Sequence, residues 1–283
     1  MSVELRDTLG EIIGAAVVRL ERRPYPYQTS HPLEELDVDL EDGRTLRLLR
    51  KDLGTLPANR PSFIHEPVRE IETYRRVLKS AALGTAKFYG GVDEQLYIEK
   101  VEGSELWQFG ELEVWRRAAR WLAGMHAALA AQADQEHLIR YDRDFYRLWL
   151  SRAEAISGDL GLVARIYDDV VGRLLALPQS LIHGDFYPSN ILVAGARICS
   201  VDWELAAAGP PLLDLAALTT GWPEKDEAAI VAAYGDVSPE ALDCCRLHLA
   251  VRWLGWSDNW TPPPEHRKDW RREALTVAER LAV

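Results

Sequence analysis

Residues 181–204 constrain this chain more than any other stretch. They read Leu181-Ile182-His183-Gly184-Asp185-Phe186-Tyr187-Pro188-Ser189-Asn190-Ile191-Leu192-Val193, then the turn Ala194-Gly195-Ala196-Arg197, then Ile198-Cys199-Ser200-Val201-Asp202-Trp203-Glu204. Two short apolar runs on either side of a turn predict a tight β-hairpin, with polar residues at both outer ends. Antiparallel partners lie within about 5 Å of each other, so the hairpin brings Asn190, just before its first strand, close to Asp202, just after its second.

An amide oxygen and a carboxylate at one hairpin mouth form a hard-oxygen pair. Magnesium accepts such a pair while keeping waters and phosphate oxygens as its other ligands. Asp185, five residues before Asn190, can stand beside the same mouth and face an incoming hydroxyl, as phosphoryl transfer requires. Taken singly, His183, Asp185 and Asn190 would read as turn caps. The apolar Ile191-Leu192-Val193 that follows, with Val201-Asp202 at the matching distance, makes them one constellation.

Around this hairpin the chain changes character. Residues 1–102 alternate short apolar runs with turns, and residues 103–283 read mainly as helices, which predicts a small sheet lobe followed by a larger helical one. Strand-like runs at 36–40 and 45–49 are split by Glu41-Asp42-Gly43-Arg44, where Asp-Gly is a strong hairpin signal, and the hairpin ends in Arg50-Lys51-Asp52. After a Gly/Pro/Asn loop, the spacing of Val68, Ile71, Tyr74 or Arg75, and Leu78 predicts one amphipathic helix over 68–78. Residues 96–101 read as a strand running into Glu102-Gly103, where the sheet lobe hands over to the helical one. Residues 114–131 predict a long helix whose apolar face carries Trp115, Ala118, Trp121 or Leu122, Met125 and Leu129. His126 beside that face reads as a core histidine hydrogen-bonded to a neighbour.

Composition narrows the function classes. With 33 Lys+Arg against 44 Asp+Glu the formal net charge is -11, which disfavours a nucleic-acid partner because phosphate backbones attract basic surfaces. Acidity of this kind suits either a cationic substrate or plain solubility. The cysteines are Cys199, Cys244 and Cys245, without CxxC or Cys/His ligand spacing, so a reducing compartment is expected. The first residues lack the apolar run of a secretory signal, and the longest apolar stretch, 12–18, is too short to span a bilayer. A cytoplasmic protein with no membrane partner is the expectation.

His183-Gly184-Asp185 with Asn190 spells HGDxxxxN, Asp202-Trp203-Glu204 spells DxE, and Gly209-Pro210-Pro211-Leu212-Leu213-Asp214-Leu215 follows. On these motifs the chain resembles the aminoglycoside phosphotransferase and choline kinase superfamily over most of its length. That resemblance implies an α+β, two-lobed, protein-kinase-like fold with a small antiparallel-sheet N-lobe and a larger helical C-lobe. It implies that Asp185 is the catalytic aspartate, that Asn190 and Asp202 hold the metal, and that His183 and Asp214 support the catalytic loop. Protein kinases keep the same five-residue interval between base and asparagine.

The resemblance also implies that Lys51 pairs with the α- and β-phosphates, with Leu49 on the same strand face against the adenine. Arg50 is the rival; a compact ammonium suits the role better, and Arg50 then points to the other face. Glu70 matches the position that orients the lysine through an ion pair, and Glu72 is expected in solvent. Glu99, Lys100 and Val101 resemble the hinge, where main-chain groups meet the adenine edge. No G-x-G-x-x-G is present, so the phosphate-covering loop is expected at Pro24-Tyr25-Pro26-Tyr27-Gln28-Thr29-Ser30, with Ser30 among its donors.

The implied reaction is magnesium-assisted transfer of the terminal phosphate of ATP or GTP to a hydroxyl of a small molecule such as a sugar, amino-sugar, aminoglycoside or amino alcohol, by a monomer or homodimer. Only eleven residues separate Asp202 from Asp214, too few for the activation segment of a peptide-directed kinase. Nucleotidyl transfer on the same scaffold is an alternative. A non-catalytic nucleotide-binding protein is another, which would predict loss of Asp185, Asn190 or Asp202. The acceptor side is expected after Asp214, where Trp253, Trp256 and Trp260 recur at i, i+3 and i+7 with Asp258 nearby, the indoles either packing the lobe or lining the pocket. Glu204 is a further acceptor-side candidate.

Overall fold

The computed structural model describes residues 2–26, 31–56, 60–256 and 268–282. Helix α1 (Ser2–Ile13) leads into strands β1 (Val17–Pro24), β2 (Leu33–Leu40) and β3 (Thr45–Asp52). The turn between β2 and β3 falls on Asp42-Gly43, with Gly43 at φ 84°. Both strands outrun their apolar cores, so Arg50, Lys51 and Asp52 lie inside β3. Helix α2 (Pro67–Thr73), β4 (Phe88–Val92) and β5 (Gln95–Glu99) complete a five-stranded antiparallel sheet in the order β1-β2-β3-β5-β4.

Strand alternation gives this sheet two working faces. Leu36, Val38, Leu40, Leu48 and Tyr97 face α1, whose Leu5 and Leu9 close a small core with them. On the opposite face Lys51 pairs in register with Leu96, and Leu49 with Ile98; these apolar residues join the main core. Gly91 of β4 lets α2 press onto that face, since a Cβ there would stand 2.3 Å from Ile71 Cγ2.

One even helix over 68–78 is not what forms. α2 ends at Thr73 and continues as a wider π turn, Tyr74–Leu78, which buries Tyr74, Val77 and Leu78 together. Packing of those three side chains outweighs regular helical spacing there. Glu72 differs from expectation as well: it takes bonds from Arg75 and Arg76 one turn on, and its side chain is only 14% exposed.

The remaining elements are β6 (Ser104–Glu105), α3 (Leu112–Leu129), β7 (Ile139–Arg140), α4 (Arg143–Ser157), α5 (Leu162–Ala176), β8 (Ser180–Ile182), β9 (Ile191–Ala194), β10 (Arg197–Ser200), β11 (Ala207–Gly209), α6 (Leu212–Thr219), α7 (Glu224–Tyr234), α8 (Pro239–Leu254) and α9 (Trp270–Leu281). The hairpin read from the sequence is β9-β10, with Ile191 opposite Ser200, and β6 adds a third strand. A second small sheet, β7-β11-β8, frames the loop between β8 and β9. This is the α+β arrangement that the resemblance implied. Among the described residues no helix is long and apolar enough to cross a membrane.

The tryptophan spacing after Asp214 does not lie on one helix. α8 stops at Leu254, and Gly255 caps it, where a Cβ would meet Ala153 N of α4 at 2.9 Å. Trp256 therefore lies past the helix end. Ser30, Asp258 and Trp260 lie outside the described residues.

α9 is tied to α8 by Asp243, whose carboxylate accepts two bonds from Arg280 at 2.8 Å and one from Arg246 at 2.7 Å. Burial alone would raise this carboxyl, but the two guanidiniums hold it below its ordinary value. A depressed folded pKa means stability that is present above the unfolded value near 4 and lost as pH falls through the folded one. Asp243→Asn is expected to cost about 1–3 kcal/mol at pH 7, measured by urea unfolding. The gap to the natural chain should shrink below about pH 4, and a gap undiminished at pH 3 would contradict the clamp.

Candidate active site

The loop from His183 to Asn190 is built around one glycine. Gly184 sits at φ 79°, and a Cβ on it would stand 2.1 Å from Leu205 O, so no other residue fits without moving backbone. Asp214, in the first turn of α6 and almost wholly buried, accepts the His183 N–H at 2.7 Å and the Gly184 N–H at 2.9 Å. The same carboxylate accepts from His126 Nε2 at 3.1 Å, while His126 Nδ1 accepts from the Tyr234 hydroxyl at 2.9 Å. His126 is the hydrogen-bonded core histidine that its position suggested, and it ties α3 and α7 to the loop.

His183 is held in one tautomer. Val201 O can only accept, so the 2.9 Å contact puts the proton on Nε2 and leaves Nδ1 to accept the Asp185 N–H at 3.3 Å. Burial pushes its pKa below the ordinary value, so the ring stays neutral.

Asp185 carries its carboxylate into the cleft with both oxygens engaged. Oδ2 accepts from Asn190 Nδ2 at 3.0 Å and Oδ1 from Arg252 Nη2 at 3.3 Å. Burial pushes the carboxyl up to about 6, with Asp202 adding to the rise and Arg252 opposing it. Asn190 spends its amide N–H groups on Asp185, including Asp185 O at 2.9 Å, which leaves its side-chain oxygen as the group that can accept. The Val201 N–H to Asn190 O bond, 2.9 Å, fastens the hairpin mouth where the sequence placed it.

Asp202 adopts a left-handed conformation at φ 66°, a strain of about 1–3 kcal/mol for a residue other than glycine. Its Oδ1 meets the Lys51 ammonium, which also donates to Glu70 Oε2 at 2.8 Å. The other Glu70 oxygen accepts the Trp203 N–H at 3.0 Å. Burial alone would lower the Lys51 pKa; Asp202, Glu70 and Glu204 around it raise it instead, so the ammonium stays charged. Arg50 turns to the opposite sheet face, onto Glu34 at 2.8 Å and Gln95 at 3.0 Å.

Glu204 spends its carboxylate on neighbours: it meets Arg60 and His31 Nε2, the latter at 2.9 Å, and Arg69 donates to its main-chain oxygen at 2.8 Å. Burial would raise this carboxyl, but Lys51, His31 and Arg60 hold it well below its ordinary value. Trp256 is 7% exposed and stacks on Trp149 at 5.8 Å, so it packs the core. Trp253 alone of the pair borders the loop, donating its Nε1–H to the Tyr187 hydroxyl and stacking on Trp270.

At the candidate hinge the side chains turn to neighbours. Glu99 takes Arg197 at 2.7 and 2.9 Å, and Lys100 pairs with Glu35 at 2.9 Å. The N–H groups of Glu99 and Lys100 go to Lys87 O and Arg47 O. Any ligand met along 99–101 would be read by main chain, Val101 included. Arg252, Arg60 and His31 carried no motif and went unread in the sequence.

The cleft can do specific chemistry. The Lys51 ammonium meets Asp202 and the Asp185 carboxylate meets Asn190, and Asp202 and Asn190 together offer one carboxylate and one amide oxygen. Among the described residues no group of three or more His, Cys, Asp or Glu has a metal-holding arrangement. One carboxylate and one amide oxygen suit an ion that takes few protein ligands and completes its shell with water and phosphate, as magnesium does.

The model of the phosphotransferase enzyme family matches residues 76–248, more than half of the chain. No curated protein matches it by sequence. Among solved structures, the chain is similar to an assigned fructosamine-3-kinase from Thermobifida fusca, at 20% identity over 98% of both chains with a TM-score of 0.65. It is similar to the macrolide 2'-phosphotransferase apoenzyme from Brachybacterium faecium, at 19% identity over 89% of this chain and 90% of that one, TM-score 0.66. A choline kinase from Streptococcus pneumoniae shares 15% identity over 100% of this chain and 97% of that one, TM-score 0.63. Likeness at these identities establishes the fold.

Gly184→Ala tests how tightly the loop is built. It is expected to lower stability by about 1–3 kcal/mol, read as a drop of several degrees in Tm. An unchanged Tm would contradict the 2.1 Å approach to Leu205 O.

Proposed function

The chain belongs to the phosphotransferase enzyme family, and on that premise we propose that it moves the terminal phosphate of ATP or GTP, with magnesium, onto a hydroxyl of a small molecule. The observation that carries this reading is the Glu70 carboxylate, which ties Lys51 to the peptide after Asp202 and so sets a cation opposite the Asp185–Asn190 pair.

In the proposed reaction Lys51 holds the α- and β-phosphates and Glu70 keeps it aimed. Main-chain groups along Glu99, Lys100 and Val101 receive the base. Asn190 and Asp202 would hold the magnesium ion, whose charge would offset that of the phosphates. His183 and Asp214 keep the loop in place. Asp185 orients the acceptor hydroxyl and takes its proton as the acceptor oxygen bonds to the terminal phosphorus. The bond from that phosphorus to the β-bridging oxygen breaks, and the nucleoside diphosphate leaves with the electron pair.

A small acceptor fits the geometry beyond Asp202. The residues up to Asp214 are used by a short turn, Trp203–Leu205, by β11 and by the start of α6, so no peptide-docking segment intervenes. Tyr187 and Trp253 at the loop would receive the acceptor, stacking on a sugar ring or holding the ammonium of an amino alcohol over a ring face. A nucleotide donor and three buried free cysteines suit a cytoplasmic setting.

The test is a screen of neutral sugars, amino-sugars, aminoglycosides and amino alcohols with the purified chain, magnesium, and ATP or GTP. Nucleoside diphosphate release that depends on at least one acceptor is expected. Pyrophosphate release, or none with any acceptor, would overturn the reading. With that acceptor, Asp185→Asn should lower kcat about a hundredfold or more while nucleotide binding persists. Near-natural turnover would remove Asp185 from the role.

A further inference from the structure

The last turn of α8 grips the loop from behind. Arg252, 2% exposed, donates from Nη1 to Gly184 O at 2.6 Å and to the Tyr141 hydroxyl at 3.3 Å, and from Nη2 to Asp185 Oδ1 at 3.3 Å. Its chain neighbour Trp253 donates to the Tyr187 hydroxyl. The Gly184 residue is thus held at both ends: its N–H by Asp214, its carbonyl by Arg252. That peptide sets the direction in which the Asp185 side chain leaves the backbone. The carboxylate is then fixed at each oxygen, by Arg252 on one and Asn190 on the other.

A guanidinium in this position is an expensive way to fill a core. Burying one is unfavourable unless its donors are met, and Arg252 Nε has no hydrogen-bond partner among the described residues. Asp185 is its one carboxylate within ion-pair distance among those residues. Ordinary packing against Trp256, whose ring centroid lies 5.9 Å away, would be served as well by an apolar side chain.

We infer that Arg252 is a positioning residue for phosphoryl transfer, holding the Gly184–Asp185 peptide and the Asp185 carboxylate in the orientation that meets the acceptor hydroxyl. The inference rests on the phosphotransfer reading of the same cleft. Arg252 acts through Asp185 and leaves nucleotide binding to Lys51 and its partners.

Arg252→Gln and Arg252→Lys test it, in steady-state diphosphate release with the best acceptor of the screen, alongside Tm and a crystal structure of each variant. Misplacing a reacting group by about 1 Å can cost about a hundredfold, so Arg252→Gln should lose about thirty- to a hundredfold in kcat. Its KM for the nucleotide should stay within about twofold, because no ground-state contact is lost. Arg252→Lys, which keeps one donor for Gly184 O, should recover part of that loss, and added guanidinium should restore turnover to Arg252→Ala. Overturning results are a kcat within about threefold of the natural chain, or kcat and nucleotide affinity falling together with Tm, as a purely structural role predicts. An Asp185 carboxylate unmoved in the Arg252→Gln crystal structure would overturn the inference whatever the activity. No diphosphate release from the natural chain would instead sink the phosphotransfer reading.

Discussion

The Glu70 carboxylate joins three parts of the chain that no local force would bring together. One oxygen takes Lys51 from β3, the other takes the backbone N–H of Trp203 just past Asp202, and the residue itself sits on α2. It is 1% exposed, and burial holds its pKa above the ordinary value even with Lys51 opposing. A buried carboxylate left without its cation would cost several kcal/mol, so Lys51 and Glu70 enforce each other's position. The sheet, the helix and the β9-β10 hairpin are registered to one another by that pair.

Around it the charges are crowded in a way that ordinary folding does not favour. Asp185, Asp202, Glu70 and Glu204 converge on Lys51, Arg60, Arg252 and His31. Replacing such buried pairs with apolar side chains is often neutral or stabilising, which makes a cluster of this size in a cleft a mark of chemistry rather than of stability. The proposed reaction gives each sign a use. In it the phosphates of a nucleotide would compete with Asp202 for Lys51, and a divalent cation would take over the charge of Asp202.

Much of this was legible because it is encoded locally. The Asp42-Gly43 turn, the β9-β10 hairpin and the alternation that puts Lys51 and Leu49 on one face are short-range patterns, and the structure keeps them. Glu70 followed from a motif position and landed 2.8 Å from Lys51. What escaped was long-range. Arg252 meets Asp185 across 67 positions, Arg60 meets Glu204 across 144, and His31 meets Glu204 across 173, and no periodicity records such contacts. The partners of Glu204 escaped for the same reason, since they come from before β2 and from the loop after β3. Of the two readings left open for the indoles, Trp256 follows the packing one: Gly255 ends α8, and Trp256 turns into the core on Trp149.

The central claim is that Lys51, Glu70, Asn190 and Asp202 form one site for a magnesium-bound nucleotide. A crystal structure with magnesium and a non-hydrolysable ATP analogue tests it most directly. The Lys51 ammonium is expected to leave Asp202 for α- and β-phosphate oxygens while keeping Glu70, with the metal about 2.0–2.1 Å from Asn190 Oδ1 and an Asp202 oxygen. A nucleotide bound elsewhere, or a metal beyond reach of both residues with Lys51 still on Asp202, would contradict it.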